Sequence, residues 1–194
     1  MKKAIFLDRD GVLNPPVLQE KTNQYSAPWD PQNYVLYPWV IESLKVLIKN
    51  EYLLFLVSNQ PDYAKGFTTL ENLKLVHNKL DSLLKENKIL FSEYFYCYHH
   101  PKGTIPSYTC ICECRKPGNL FLRKAIEKYN LDITNSWMIG DRDVDVKCGQ
   151  SLQIKTILLK QEFPDGSQGS SIPSYFVENL KKAVSIIERE SKIK

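Results

Sequence analysis

Two short runs of this sequence set aspartates close together behind an apolar stretch. In the first, Ala4–Leu7 leads into Asp8, Asp10 follows two residues later, and Gly11 permits a tight turn. Carboxylates this close repel unless a cation or a proton lies between them. In the second, Trp137–Ile139 leads through Gly140 to Asp141, Asp143 and Asp145. Acidic residues also suit the first turn of a helix, where backbone N–H groups carry partial positive charge. That explains some of these aspartates but not their echo of the first run. Oxygen ligands from two neighbouring strand ends would make a hard-cation site suited to Mg²⁺.

Two further runs offer groups for an anion. Leu53–Val57 leads into Ser58 and Asn59, a hydroxyl and an amide suited to phosphoryl oxygens. The run Arg115-Lys116-Pro117-Gly118 carries an ammonium that could neutralise a phosphate, although an isolated lysine is usually a solvated surface residue.

The third chemistry is sulfur. Four of the five cysteines and two of the three histidines lie between Cys97 and Cys114. The count is odd and the residues cluster, which favours a metal over disulfides. Cys97-x-His99 and Cys112-x-Cys114 are two ligand pairs closing a loop, the pattern of a four-coordinate structural zinc. Cys110-x-Cys112 and the adjacent His100 leave the register of that site open.

Bringing these runs together requires a regular scaffold. Apolar stretches at Ala4–Leu7, Leu53–Val57, Tyr94–Cys97, Trp137–Ile139 and Thr156–Leu159 read as buried parallel strands, with a short edge strand at Tyr175–Val177. Helical periodicity fills the gaps at Val40–Asn50, Thr68–Glu86, Leu120–Tyr129 and Leu180–Glu188, and Thr68 with Glu71 reads as a capping box. Strands alternating with helices give an α/β fold, a Rossmann-like parallel sheet flanked by helices. Residues 14–37 read as a long ordered loop and 160–174 as a polar connection. No boundary divides 1–194, so one domain is expected. In such a sheet chemistry sits at the C-terminal ends of strands, where the two aspartate runs and Ser58-Asn59 fall and which Lys116 could reach.

Composition narrows the function classes. The charge of +4 is spread along the chain, with no concentrated basic stripe, so nucleic acid is not an expected partner. Ala4–Leu7 is too short for a secretory signal, and no run approaches the roughly 18 apolar residues that cross a membrane. A soluble, cytoplasmic monomer acting on a small molecule is the expectation.

Taken in order, "DRDGVLN" at 8–14, "SNQ" at 58–60, "RKPG" at 115–118 and "GDRDVD" at 140–145 resemble the four motifs of the haloacid dehalogenase superfamily of phosphohydrolases, over nearly the whole chain. The resemblance implies that Asp8 is the nucleophile that forms an aspartyl-phosphate. Asp10 would be general acid and then general base, its main-chain carbonyl also holding the metal. Asp8 and Asp141 would be carboxylate ligands of Mg²⁺, with Asp145 in support rather than in direct ligation. Ser58 and Asn59 would hold the phosphoryl group, and Lys116 would be the charge partner of Asp8 and phosphate. "CYHHPKG" and "CECRKP" narrow the likeness to D-glycero-D-manno-heptose 1,7-bisphosphate phosphatases. That implies a zinc loop over 97–114 ligated by Cys97, His99, Cys112 and Cys114, with Cys110 spare and His100 outside the site. Arg115 would face the distal phosphate while the 7-phosphate is removed.

Histidinol-phosphate phosphatases, which share these motifs, are the alternative. From another class comes a zinc-stabilised interaction module without catalysis, against which the intact Asp8, Asp10, Lys116 and Asp141 argue. No large cap domain is inserted, so selectivity falls to 14–37, the zinc loop and the segment after "SNQ". There Pro61-Asp62 stands in place of the Ser-Gly pair expected from the family. Trp29 and Tyr25 are expected to pack their loop down. Cys148 reads as a small packing residue and His77 as structural or exposed.

Overall fold

The computed structural model describes residues 1–163 and 165–192. Among these, β1 (Lys3–Leu7) is followed by a short hairpin of β2 (Val17–Gln19) and β3 (Gln24–Ser26), then α1 (Val40–Lys49) and β4 (Tyr52–Asn59). Next come α2 (Leu70–Glu86), β5 (Glu93–Cys97), α3 (Leu120–Tyr129), β6 (Trp137–Gly140) and α4 (Asp143–Gln150). The chain continues with β7 (Lys155–Leu159), β8 (Tyr175–Val177) and α5 (Leu180–Lys192). Six strands form one sheet in the order β5-β4-β1-β6-β7-β8, every neighbouring pair parallel.

Both faces of this sheet are covered, which is why its strands read as continuous apolar runs. Ile5, Leu7, Leu54, Leu56, Trp137 and Ile139 pack with Val40, Leu44, Val76, Leu80 and Ala183 from α1, α2 and α5. The alternate residues Ala4, Phe6, Phe55, Val57 and Met138 pack on the other face with Leu122, Ala125 and Cys148 from α3 and α4. Period-two alternation thus splits each strand between two cores. Cys148 is buried there, as read from the sequence.

The chain runs from β1 outward through β4 to β5, then returns to the centre and runs outward through β6, β7 and β8. The direction switches between β1 and β6, and the crevice beyond the carboxyl ends at such a switch is where ligands bind.

Two local expectations are corrected. The cap of α2 is Thr69, whose side chain accepts from the Asn72 N–H, rather than Thr68 paired with Glu71. Thr69 takes the extended backbone that a cap requires, an interaction worth about 1 kcal/mol. Residues 14–37 are not loop throughout: they contain the β2–β3 hairpin, paired Val17 to Ser26, Leu18 to Tyr25 and Gln19 to Gln24. Its strands are three residues each and carry polar side chains, so apolar alternation could not reveal them.

Candidate active site

The end of β1 places Asp8, and the end of β6 places Asp141 beside it. The ladder continues one step past β1, with Asp8 N–H donating to Ile139 C=O at 2.9 Å. Close approach between the two tips needs a residue without Cβ. Gly11 has φ +82°, and a Cβ there would lie 2.6 Å from Asp141 Oδ2. Asp8, Asp141 and Asp145 each bring a carboxylate oxygen within 4.8 Å of the others, and all three side chains are buried.

Two cations answer this charge, Lys116 closely and Arg142 from 3.9 Å at Asp141 Oδ2. Lys116 is 2% exposed, and its Nζ lies 2.9 Å from Asp8 Oδ2, 2.6 Å from Asp145 Oδ1 and 2.7 Å from the Val57 carbonyl oxygen. The Val57 oxygen accepts a hydrogen bond from Nζ, and the two carboxylates are its ion-pair partners. Burial alone would lower the affinity of this amine for its proton, but Asp145 and Asp8 outweigh burial and hold it well above the usual lysine range. Asp145 is itself pushed up to about 6 by burial, with Asp8 adding to the rise and Lys116 opposing it. Asp141 lacks so close a cation. Burial, then Asp145 and Asp8, push it up to about 8.

Asp141 Oδ1 is buried with no hydrogen-bond partner, while Oδ2 accepts from Gln161 Nε2 at 3.2 Å. An orphaned carboxylate oxygen beside two more carboxylates is the donor set of a hard divalent cation. Asp145 is engaged through Oδ1 by Lys116 and through Oδ2 by the Arg142 N–H. Asp8 and Asp141 are therefore the side chains best placed to hold such an ion.

Asp10 stands apart, held by four donors. Arg9 Nε and Asn14 Nδ2 reach Oδ1 at 3.1 and 3.0 Å; Arg9 Nη2 and Gln60 Nε2 reach Oδ2 at 3.1 and 2.6 Å. Burial would raise this carboxyl, but the Arg9 charge and these bonds overcome it and hold it below the usual carboxylate range.

At the end of β4, Ser58 Oγ accepts from Gln60 Nε2 at 3.0 Å. Asn59 clasps the backbone of Lys116: its Oδ1 accepts from the Lys116 N–H at 3.0 Å and its Nδ2 donates to the Lys116 carbonyl at 3.1 Å. In this structure the Asn59 amide thus fixes Lys116. It also borders an open cleft of about 300 Å³ lined by Asp8, Asp10, Lys116, Arg115, Lys65 and Arg142.

The cleft is walled by the β2–β3 hairpin and the connection after β7. Tyr25 stacks on Phe163 with centroids 3.8 Å apart, and Arg142 Nη2 pairs with Asp165 Oδ2 at 3.2 Å. Trp29 packs against Phe67 and donates to Asp62 Oδ2 at 2.8 Å. That bond gives Asp62 a role the sequence did not suggest.

Behind Arg115 lies the sulfur cluster. Cys97, His99, Cys112 and Cys114 converge, with the Cys114 sulfur 3.3 Å from the Cys97 and Cys112 sulfurs and 3.4 Å from His99 Nδ1. Cys97 lies 3.7 Å from the Cys112 sulfur and 3.8 Å from His99 Nδ1. A tetrahedral site with metal–sulfur bonds of about 2.3 Å has edges of about 3.8 Å, so the quartet fits a four-coordinate ion. Cys110 is exposed and outside this quartet, and His100 Nδ1 accepts from the Lys102 N–H instead.

Comparison with known proteins follows this geometry. The family model described as HAD-hydrolase-like matches residues 113–183, from the sulfur cluster through the second aspartate run. Over 193 residues the chain is 32% identical to the D-glycero-beta-D-manno-heptose-1,7-bisphosphate 7-phosphatase of Haemophilus influenzae, covering 99% of this chain and 100% of that protein. The chain belongs to the haloacid dehalogenase-like phosphatases. It is 33% identical to the protein of the same name from Pasteurella multocida, over 97% of this chain and 98% of that one. The solved D,D-heptose 1,7-bisphosphate phosphatase from B. bronchiseptica, complexed with magnesium and phosphate, shares the fold: TM-score 0.79 at 22% identity, over 97% of this chain and 99% of that chain. Among the described residues no helix is long and apolar enough to cross a membrane.

Within this phosphatase fold the structure brings together Asp8, Asp141, Asp145 and Lys116, and sets Asp10, Asn59 and Arg115 around the same cleft. Sequence reasoning did not single out Arg9, Asn14, Gln60 or Arg142. Arg9 was the hardest to foresee, because a charged residue inside an Asp-x-Asp turn reads as solvated, yet it is 1% exposed. The available signal was parity: Arg9 lies two residues beyond Leu7, whose face of the sheet is core.

Proposed function

We propose that this protein removes the 7-phosphate of D-glycero-D-manno-heptose 1,7-bisphosphate. The observation that carries the reading is that one cleft is lined both by Asp8, Asp10 and Lys116 and by the separate cations Arg115, Lys65 and Arg142. That suits a ligand with one phosphate to cleave and another to hold. The full-length likeness to the two named heptose-bisphosphate phosphatases supports the same substrate.

In this mechanism an Asp8 oxygen attacks phosphorus as the bond from phosphorus to the sugar oxygen breaks. Asp10, which must first take up a proton against the pull of Arg9 on its charged form, gives that proton to the leaving oxygen. Water then attacks the aspartyl-phosphate, Asp10 takes the proton, and phosphate leaves with Asp8 restored. Lys116 pairs with Asp8 and orients it, while Ser58 and the Lys116 ammonium meet the phosphoryl oxygens. Asn59 acts through its grip on the Lys116 backbone. Asp8, Asp141 and the Asp10 main-chain carbonyl would hold Mg²⁺, which when bound would supply the positive charge that lets an anionic nucleophile approach an anionic phosphoryl group. Zinc on Cys97, His99, Cys112 and Cys114 would hold the loop that presents Arg115. A cytoplasmic monomer belongs to the same proposal, the location because a reducing compartment keeps Cys97, Cys112 and Cys114 free of disulfides.

The test is phosphate release from the heptose bisphosphate and from histidinol phosphate, side by side, with Mg²⁺ and after chelation. The reading expects Mg²⁺-dependent turnover of the bisphosphate that stops after one phosphate. Preference for histidinol phosphate would overturn the substrate while leaving the nucleophile and the zinc in place.

A further inference from the structure

We propose that Arg9 is a positioning residue, whose guanidinium fork sets the plane and aim of the Asp10 carboxylate. The proposal rests on the phosphatase reading above, in which Asp10 exchanges a proton with the leaving oxygen. It concerns a residue whose side chain touches no substrate in that mechanism and acts through Asp10, while its main-chain N–H donates to Asp8 Oδ1 at 2.7 Å.

Arg9 is a buried cation, and burying a guanidinium costs several kcal/mol unless its donors are well matched. The surrounding residues match them closely. Nε donates to Asp10 Oδ1 and Nη2 to Asp10 Oδ2, both at 3.1 Å, a bidentate grip that fixes a plane as well as a distance. Nη2 also donates to Gln60 Oε1 at 2.9 Å. The Tyr34 and Tyr96 rings lie with their centroids 6.0 Å from the guanidinium carbon, and the Tyr96 hydroxyl is in turn 3.0 Å from His77 Nδ1. The arginine is thus held from beneath by aromatic walls and from the side by Gln60.

The four bonds to Asp10 are not equivalent. A carboxylate offers about four acceptor positions, and here all four are occupied. A substrate oxygen or water must displace one donor to reach Asp10. The two neutral donors, Asn14 and Gln60, are the ones to yield, because each makes a single bond to Asp10, whereas Arg9 is a full cation that grips both oxygens at once. Gln60 has a second partner in Ser58 Oγ to keep. The fork therefore stays while a neutral donor leaves, and the carboxylate keeps its aim through the change.

The assay exploits the leaving group. A sugar-type alkoxide needs a proton as it departs, whereas p-nitrophenolate leaves as a stable anion without one. kcat/KM, which reports the first irreversible step, is measured in Mg²⁺ for an alkyl phosphate and for p-nitrophenyl phosphate. In Arg9→Met the alkyl ester loses about 100-fold and the aryl ester less than about 5-fold. Arg9→Lys keeps the buried cation but cannot bridge both oxygens; it shows the same selective loss at about 10-fold, with a melting temperature near wild type. Equal losses on both esters in the two variants would make Arg9 a structural cation only and overturn the proposal. With heptose 1,7-bisphosphate as the alkyl ester, a wild-type protein that released no phosphate from it in Mg²⁺ would overturn the phosphatase reading and the role of the fork with it.

Discussion

The carboxylate cluster and the Cys/His cluster lie at opposite ends of one chemical scheme, and they are built in different ways. Asp8 and Asp141 stand at the tips of adjacent central strands, so the sheet ladder sets their separation and buried Lys116 balances their charge. Cys112 and Cys114 lie on an irregular stretch between β5 and α3, where one short 3-10 turn at Pro106–Tyr108 is the only regular element described. Cys97 ends β5 in register with Asn59, but the other three ligands are placed by loop hydrogen bonds and by one another. The first site inherits its shape from the fold. The second must be held by whatever ion its ligands take. The two meet at Lys116, which belongs to the cysteine loop by sequence and to the carboxylates by position, and Asn59 locks that junction.

Substitutions can break each half separately. The largest effect is expected at the nucleophile: Asp8→Asn should lower kcat by more than about 10⁴-fold while circular dichroism and melting stay near wild type. Lys116→Met strands Asp8 and Asp145 without their cation, and urea titration should show a loss of about 3–5 kcal/mol. Cys114→Ser should leave the sheet folded, cut metal analysis below one zinc per chain, and reduce kcat/KM on the bisphosphate by about 10–100-fold. If activity survived Cys114→Ser unchanged, the sulfur cluster would have no hold on the reacting residues.

pH sharpens the same contrast. Asp141 is raised from the ordinary 3.8 to about 8. Between those values the unfolded chain has released this proton and the folded chain retains it. The unfolded state then binds fewer protons, so the contribution of Asp141 to stability falls as pH rises through that window. In chelator the melting temperature should drop modestly from pH 5 to 8, and Mg²⁺ should recover most at the upper end. A melting temperature rising with pH in chelator, with no gain from Mg²⁺, would argue against a cation site at Asp141.

The sequence disclosed the two sites unequally. The four inner strands of the main sheet were legible because burial on both faces makes them apolar, while the edge strand Tyr175–Val177, which is not buried, was still placed to the residue. The carboxylates were legible because each follows such a strand. The hairpin was not, since Val17–Gln19 and Gln24–Ser26 are too short and polar for a periodic signal. Thr68 and Thr69 are adjacent and chemically alike, and only backbone geometry assigns the cap to Thr69. Arg9 and Gln60 lay inside recognised motifs, yet their partnership spans 51 positions and depends on β1 pairing with β4. Long-range pairing of polar side chains leaves no periodic trace.

The central claim is that Asp8 takes up the phosphoryl group. Rapid acid quench of the protein mixed with heptose 1,7-bisphosphate and Mg²⁺, followed by mass spectrometry of its peptides, tests it most directly. The account predicts one phosphoryl group on the peptide bearing Asp8, absent from Asp8→Asn and lost on longer incubation as phosphate is released. Steady phosphate release with that peptide never modified, and with Asp8→Asn still active, would contradict it.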